Sequence, residues 1–437
     1  MQPRDPRHRP STVVIRGGRI IDATGTRQAD ILIMDGVITS VTATMSSFPA
    51  GTVVLDAAGC VVGPGLVDLY THLREPGREE AETIETGSRA AALGGYTAVV
   101  AMPNTEPAID SAAVVRQVQD LGAGALCDVH PAGAITVGRE GRLLAPMAEM
   151  AALGVRIFTD DGSGVQDARL MRRAMEYATA LGVTLAQHCE DASLAGGGHM
   201  HEGEWSSRLG LAGQPAEAEE LMVMRDLALA RLTGAKMHFL HLSTAGSLAM
   251  VRGAKNSGLV VTAEVTPHHF TLTDACVASY DAVYKVNPPL RTEADVAAVK
   301  SALADGTVDA IATDHAPHTA EAKEAPFDQA PPGMLGLETA LALALTELDL
   351  PLERIFALMS WQPAVIAGLT ADHGGPVAPG RPANLCVVDP AAAWVVDPHQ
   401  SASRSRNNPY SGRKLQGRVR HTILHGEPVV LDGEAQR

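Results

Sequence analysis

Lysine is missing from the first half of the chain: the first is Lys236, and the basic side chains before it are arginine. No lysine from that half can therefore serve in a site. Aromatic residues are scarce at 3%, so small aliphatic side chains must fill the core. The cysteines (Cys60, Cys127, Cys189, Cys276 and Cys386) are far apart and never form a Cys-x-x-Cys pair. That spacing argues for reduced thiols and excludes a disulfide framework or a structural zinc knuckle. No apolar run approaches the ~20 residues that span a bilayer. The start, residues 1–10, is basic but has no apolar signal region. These absences point to a cytoplasmic protein without membrane segments. With 35 basic against 50 acidic residues the net charge is −15, which repels nucleic acid, so any anionic ligand must be gripped by local cations.

What is present is globular: 437 residues, 46% apolar and 19% charged. That length accommodates one large barrel with a smaller domain, or two to three ordinary domains. Short strand-like runs fall at 12–15, 31–34, 37–41 and 53–55. From residue 61 onward, apolar strands alternate with Ala- and Leu-rich helical stretches such as 171–181 and 215–232. The strands expected are 61–74, 96–104, 128–136, 155–161, 183–190, 236–243, 261–268 and 308–315. Such alternation predicts an α/β protein, a (β/α)8 TIM-like barrel over 61–371. Strand patterns return at 383–388, 394–396, 418–424 and 428–431. Residues 1–60 and 372–437 are each too small to bury a good core, so together they are expected to form one small β-sandwich domain.

The stretch 61–77, VVGPGLVDLYTHLREPG, organises the rest. It reads as a buried strand between Gly-Pro-Gly and Pro-Gly breaks, and strand alternation puts Asp68, Tyr70 and His72 on one face. Polar side chains at the end of a buried strand are costly unless they bind something, and a metal is the usual partner. Almost every other expected strand ends in the same way. Examples are Asn104, Asp160-Asp161, His188-Cys189-Glu190, His241, His268-His269 and Asp314-His315. In this architecture chemistry gathers at the C-terminal strand ends. Imidazole and carboxylate together suit Zn²⁺, and two such ions about 3.5–4 Å apart generate a nucleophile from water and polarise a carbonyl. A hydrolase, or its reverse, is the expected chemistry.

The motifs HLREPG (72–77), ETIETG (82–87), MPNT (102–105), DDG (160–162), HCE (188–190), NPPLR (287–291) and TDHAPH (313–318) resemble those of class I dihydroorotases in the amidohydrolase superfamily. The resemblance runs nearly end to end. It implies His72, Asp161 and Asp314 as ligands of a first zinc and Asp161, His188 and His241 as ligands of a second, with Asp161 bridging. It implies Asp314 as the catalytic general acid and base. It places His72, Arg74, Asn104, Asn287, His318 and the backbone of Pro332 and Gly333 around the substrate. The activity implied is reversible cyclisation of N-carbamoyl-L-aspartate to (S)-dihydroorotate in pyrimidine synthesis, with one or two zinc ions per chain. A homo-oligomer and an aspartate carbamoyltransferase partner are further implications. Arg74 suits a bidentate grip on the substrate carboxylate, with a surface ion pair to Glu75 or Glu79 as its ordinary alternative.

Other members of the superfamily, including hydantoinases and allantoinases, commonly bridge their metals with a carboxylated lysine on the fourth strand. With no lysine before Lys236, Asp161 is the natural substitute. The family's first strand ends His-x-His, whereas this chain has Tyr70-Thr71-His72. Three states of the first site stay open: ligation by the Tyr70 phenolate, a zinc on His72, Asp161 and Asp314 with water in the gap, or an empty site. Two alternatives follow: a metal-poor, weakly active homologue that scaffolds aspartate carbamoyltransferase, and a hydantoinase- or allantoinase-like cyclic amidase.

The remaining candidates read as structural. Asp160 is expected to be a turn or cap residue, and Cys189 a buried, inert thiol. His130, His268, His269 and His315 are expected to pack near the pocket without binding metal, and His199 and His201 to be solvated. Residues 319–334 are expected to close over the substrate.

Overall fold

The computed structural model describes residues 12–436; the basic start at 1–10 lies outside them. Its barrel strands, labelled in chain order, are β1 (Leu66–Thr71), β2 (Tyr96–Ala101), β3 (Asp128–Pro131), β4 (Ile157–Phe158), β5 (Thr184–Gln187), β6 (Lys236–Phe239), β7 (Val261–Val265) and β8 (Ala310–Ile311). Neighbours pair in parallel from β1 to β3 and from β4 to β8. The ring closes through bridges Gly133 to Phe158 and Thr71 to His315, where the His72 amide donates to the His315 carbonyl at 2.9 Å.

The amphipathic segments form the helices Ala168–Leu181 and Glu217–Thr233. Caps fix several of the helix starts. The Asp167 carboxylate accepts from the Leu170 amide, and Thr244, three residues beyond His241, accepts from the Ser247 amide. Scarcity of aromatics shows in the packing: one buried cluster gathers Leu69, Tyr70, Val100, Ala132, Ile157, Ala186 and Ala310 from successive strands.

Both chain ends build one sheet. Its order runs Glu434–Ala435, Glu427–Leu431, Lys414–Leu424, Leu385–Val395, Val61–Pro64, Val13–Asp22, Gly25–Met34 and Val37–Thr42, with Val53–Asp56 beside Val13–Asp22. The strand expected over 61–74 therefore divides. Val61–Pro64 belongs to the terminal sheet, pairing antiparallel with Leu385–Val395, and Leu66–Thr71 opens the barrel. Gly65 permits the switch because a Cβ there would sit 2.2 Å from the Thr97 side chain. Among the described residues, no helix is long and apolar enough to cross a membrane.

Candidate metal centre at the barrel mouth

β4 and β8 are shorter than expected because their polar ends leave the ladder and turn across the mouth. Asp314 and His241 take positive φ values of 46° and 32°, and Arg74 one of 60°. These bends bring side chains from different strands to one place. Asp161, His188 and His241, all buried, offer ligand atoms that lie within 4.8 Å of one another. His188 Nδ1 and His241 Nε2 face each other at 3.0 Å, and His188 Nδ1 stands 3.9 Å from Asp161 Oδ1. His241 Nδ1 is buried without a hydrogen-bond partner. Two imidazoles turned ring nitrogen to ring nitrogen beside a buried carboxylate form a donor set that fits a divalent cation of borderline softness.

His72 and Asp314 stand beside this triad: His72 Nε2 is 3.3 Å from Asp314 Oδ1 and 3.8 Å from Asp161 Oδ2. His72 Nδ1 meets Asn104 Oδ1 at 2.9 Å, and Asn104 Nδ2 donates to Asp161 Oδ2 at 2.9 Å. Asn104 thus ties the two ends of the cluster together. The Tyr70 hydroxyl donates to Asp161 Oδ1, the oxygen that faces His188. Its ring packs edge-on against both His72 and His241, at centroid distances of 5.3 and 5.0 Å.

Burial dominates the electrostatics of the cluster. Burial pushes Asp161 up to about 6 and Asp314 well above the carboxylate range, Asp161 adding to the Asp314 shift and Arg74 opposing it. Burial, then Arg74, holds His72 far below its ordinary value; burial, then His188, does the same to His241. Neutral imidazole is the ligating form. Burial also opposes charge on His188, but Glu190, 3.6 Å away, and Asp161 outweigh it and raise that imidazole.

Arg74 is buried and turned inward. Its Nε donates to the Pro317 carbonyl at 3.2 Å, and its Nη2 lies 3.4 Å from His318 Nε2. Neither Glu75 nor Glu79 takes it; their carboxylates accept from the amides of Ile84 and Gly77. His318 Nε2 also meets the Pro332 carbonyl at 2.9 Å, so His318, Pro332 and Gly333 share one wall. Asn287 Nδ2 donates to Glu190 Oε2 at 2.6 Å and lies 3.3 Å from His188 Nε2.

Other expected positions fall outside the cluster. The Asp160 carboxylate accepts from the amides of Ile135 and Thr136, a brace between distant segments where a local turn or cap was expected. Asp68 accepts from the Thr313 amide and hydroxyl and so holds the end of β8. His315 meets Glu82 at 3.2 Å, and His269 is held by Thr266 and the Pro288 carbonyl. Burial pushes the Cys189 thiol far up, consistent with an inert role. His201 departs from expectation. It is 8% exposed and meets Arg291 at 3.0 Å, because the loop around it pairs through Met200–His201 with Gly213–Gln214. His130, next to last in β3, groups with Asp128 and His373 and not with the mouth cluster.

Two contributors were given no role from sequence. Glu190 was noted only as part of the His188-Cys189-Glu190 strand end, although it shares strand parity with His188. Asn407 donates to the carbonyls of Ala316 and Gly333 and accepts from the His318 amide, and nothing near it in sequence announces that role. The segment 319–334 is tied down: Lys323 Nζ donates to the carbonyls of Pro331 and Gly333. Phe327 and Ala330 are buried against Met200, Val277 and Ala282.

Residues 59–247 match the family model described as Dihydro-orotase-like. The chain is 52% identical over 431 residues to a dihydroorotase of Streptomyces coelicolor, covering 97% of this chain and 99% of that one. It is 50% identical over 430 residues to the dihydroorotase of Mycobacterium tuberculosis, with the same coverage of 97% and 99%. Among solved structures, the L-hydantoinase (dihydropyrimidinase) of Arthrobacter aurescens superposes with a TM-score of 0.87 at 25% identity, covering 97% of each chain. The dihydropyrimidinase of Brevibacillus agri shares the fold, with a TM-score of 0.85 at 22% identity over 97% of this chain and 96% of that one. With half of its residues shared over nearly its whole length, the chain belongs to the dihydroorotase family.

Proposed function

We propose that this protein is a dihydroorotase, closing N-carbamoyl-L-aspartate to (S)-dihydroorotate and opening it again. The observation that carries the proposal is the convergence of Asp161, His188 and His241 on one point, with Asp314 and the inward-turned Arg74 beside it. Asp161, His188 and His241 would hold a divalent cation, zinc by the chemistry of the donors, and His72, Asp161 and Asp314 a weaker second one. When bound, such a cation polarises the amide carbonyl and lowers the pKa of water.

The chain's own groups perform the rest. Arg74 takes the substrate carboxylate through its guanidinium fork, and Asn104, Asn287 and His318 complete the hydrogen bonding. The backbone of Pro332 and Gly333 adds a further contact, and His72 borders the reacting carbonyl. In ring opening Asp314 accepts the proton of the attacking water and passes it to the departing ring nitrogen. In closure it takes the proton of the attacking ureido nitrogen and gives one to the departing oxygen. Closure converts a carboxylate into an imide carbonyl and so consumes one proton, which is why the shuttle must work in both directions. A cytoplasmic homo-oligomer is the setting proposed.

The test is ring opening followed as loss of dihydroorotate absorbance. Asp314→Asn is expected to lower turnover by about 10²–10⁴-fold while leaving the fold intact. Undiminished turnover in that variant removes Asp314 as the proton carrier.

One observation favours a second reading, a metal-poor homologue that scaffolds aspartate carbamoyltransferase: the Tyr70 hydroxyl already occupies Asp161. Little zinc and no turnover in the native chain, both restored by Tyr70→His, would show that Tyr70 disabled the enzyme.

A further inference from the structure

Another cluster of metal-ligating side chains lies at the opposite end of the barrel. Asp128 opens β3 opposite Ala98 of β2. Asp128, His130 and His373 offer ligand atoms within 4.8 Å of one another. His373 Nε2 is 3.0 Å from Asp128 Oδ2, and His425 Nε2 approaches the same oxygen to 2.7 Å. His130 Nε2 is buried and has no hydrogen-bond partner.

We propose that Asp128, His130 and His373 form a second, non-catalytic site for a divalent transition-metal ion such as zinc, stapling the segment after the last helix to the closed end of the barrel, with His425 hydrogen-bonded to the shared carboxylate. Hydrogen bonding alone accounts for only part of this cluster. Asp128 Oδ2 can accept from both Nε2 atoms, but the His130 nitrogen stays unpaired, a costly state for a buried polar atom. A cation would satisfy Asp128, His130 and His373 at once. Tetrahedral zinc with bonds of about 2.0–2.1 Å separates its ligands by about 3.3 Å. The His373–Asp128 separation of 3.0 Å is close to that value, and the other ligand atoms, within 4.8 Å, reach it with side-chain shifts of about 1–1.5 Å.

The surroundings suit a metal. His373 Nδ1 lies 3.1 Å from Thr97 Oγ1, an outer partner that fixes the ring with Nε2 inward. The His425 amide donates to Asn384 Oδ1 at 2.6 Å, which anchors that turn. Asp128 and His425 each keep 24% of the side chain exposed, leaving a route for entry, while His373 is 1% exposed.

Bound here, the ion would join β3 to the segment after the last helix, while His425, in the turn that follows Lys414–Leu424, braces the Asp128 carboxylate. None of these residues reaches the mouth, so the site stands or falls independently of the proposed activity.

The full-length chain, loaded with excess Zn²⁺ and desalted, is analysed for zinc per chain beside His130→Gln and His188→Ala/His241→Ala variants. The native chain is expected to retain one zinc more than His130→Gln. The mouth variant should still retain one, and should lose it when His130→Gln is added. His130 Nε2 has no partner to lose, so its replacement leaves the fold intact, which circular dichroism checks. Equal zinc in the native and His130→Gln chains, or none in the mouth variant, overturns the proposal.

Discussion

Replacing Tyr70 with phenylalanine isolates a single hydroxyl whose role at the mouth has a definite sign. Tyr70 and Asp161 are 2% and 1% exposed, and the hydroxyl donates to Asp161 Oδ1. A hydrogen bond to a buried carboxylate contributes about 1.5–3 kcal/mol. That bond competes with any cation that needs Oδ1 as a ligand, because an oxygen that ligates gives up part of its donor. Removing the hydroxyl therefore destabilises the metal-free chain and strengthens metal binding by the same interaction. The gain in affinity is about 10–150-fold, since about 1.4 kcal/mol is a factor of ten. For a chain of this length, about 2 kcal/mol shifts the melting temperature by only about 2 °C. Chelator competition is thus the sharper assay. Metal-stripped native and Tyr70→Phe chains are titrated with zinc against a chelator of known affinity. If Tyr70→Phe binds zinc more weakly than the native chain, the phenol is a ligand and not a competitor, and this account is wrong.

Two further outcomes follow from the same geometry. Arg74→Lys keeps the charge but loses the fork, and should raise KM for dihydroorotate by about 10–100-fold with a smaller effect on kcat; an unchanged KM would take Arg74 off the substrate. Burial opposes charge on Asp128, but His373 and His425 outweigh it and hold the carboxyl far below its ordinary range. The folded chain therefore releases that proton more readily than the unfolded one, and the stabilisation is complete above about pH 4 and fades as pH falls further. In chelator-treated protein, Asp128→Asn should cost about 2–3 kcal/mol near neutral pH and flatten the acid limb of the stability curve, read by urea unfolding between pH 3 and 7; parallel acid limbs would refute it.

Much of the mouth was legible because strand periodicity and strand-end chemistry are local properties. Alternation placed Tyr70 and His72 on one face, and the two lie at the mouth with ring centroids 5.3 Å apart. The opposite parity of Cys189 led to its reading as a buried, inert thiol, and its burial agrees. Where the reading fell short, the cause was non-local. His201 sits in a Gly-rich loop that looks solvated, yet it is buried because the loop pairs with Gly213–Gln214 and meets Arg291 from 90 residues away. The strand through 61–74 broke at Gly65 because that residue passes against Thr97, a neighbour no local pattern reveals.

From the residues alone came the alternation that makes a barrel, the absence of an early lysine that leaves Asp161 as the bridging candidate, and the motifs that mark the family. Tertiary structure decided where the phenol of Tyr70 goes, what Glu190 and Asn407 support, and that His425 meets Asp128 across 297 residues. The physical reason is one of range. Side-chain periodicity is written in the few residues around each strand, whereas contacts between distant segments are set by barrel closure and by the sheet that joins the two ends of the chain.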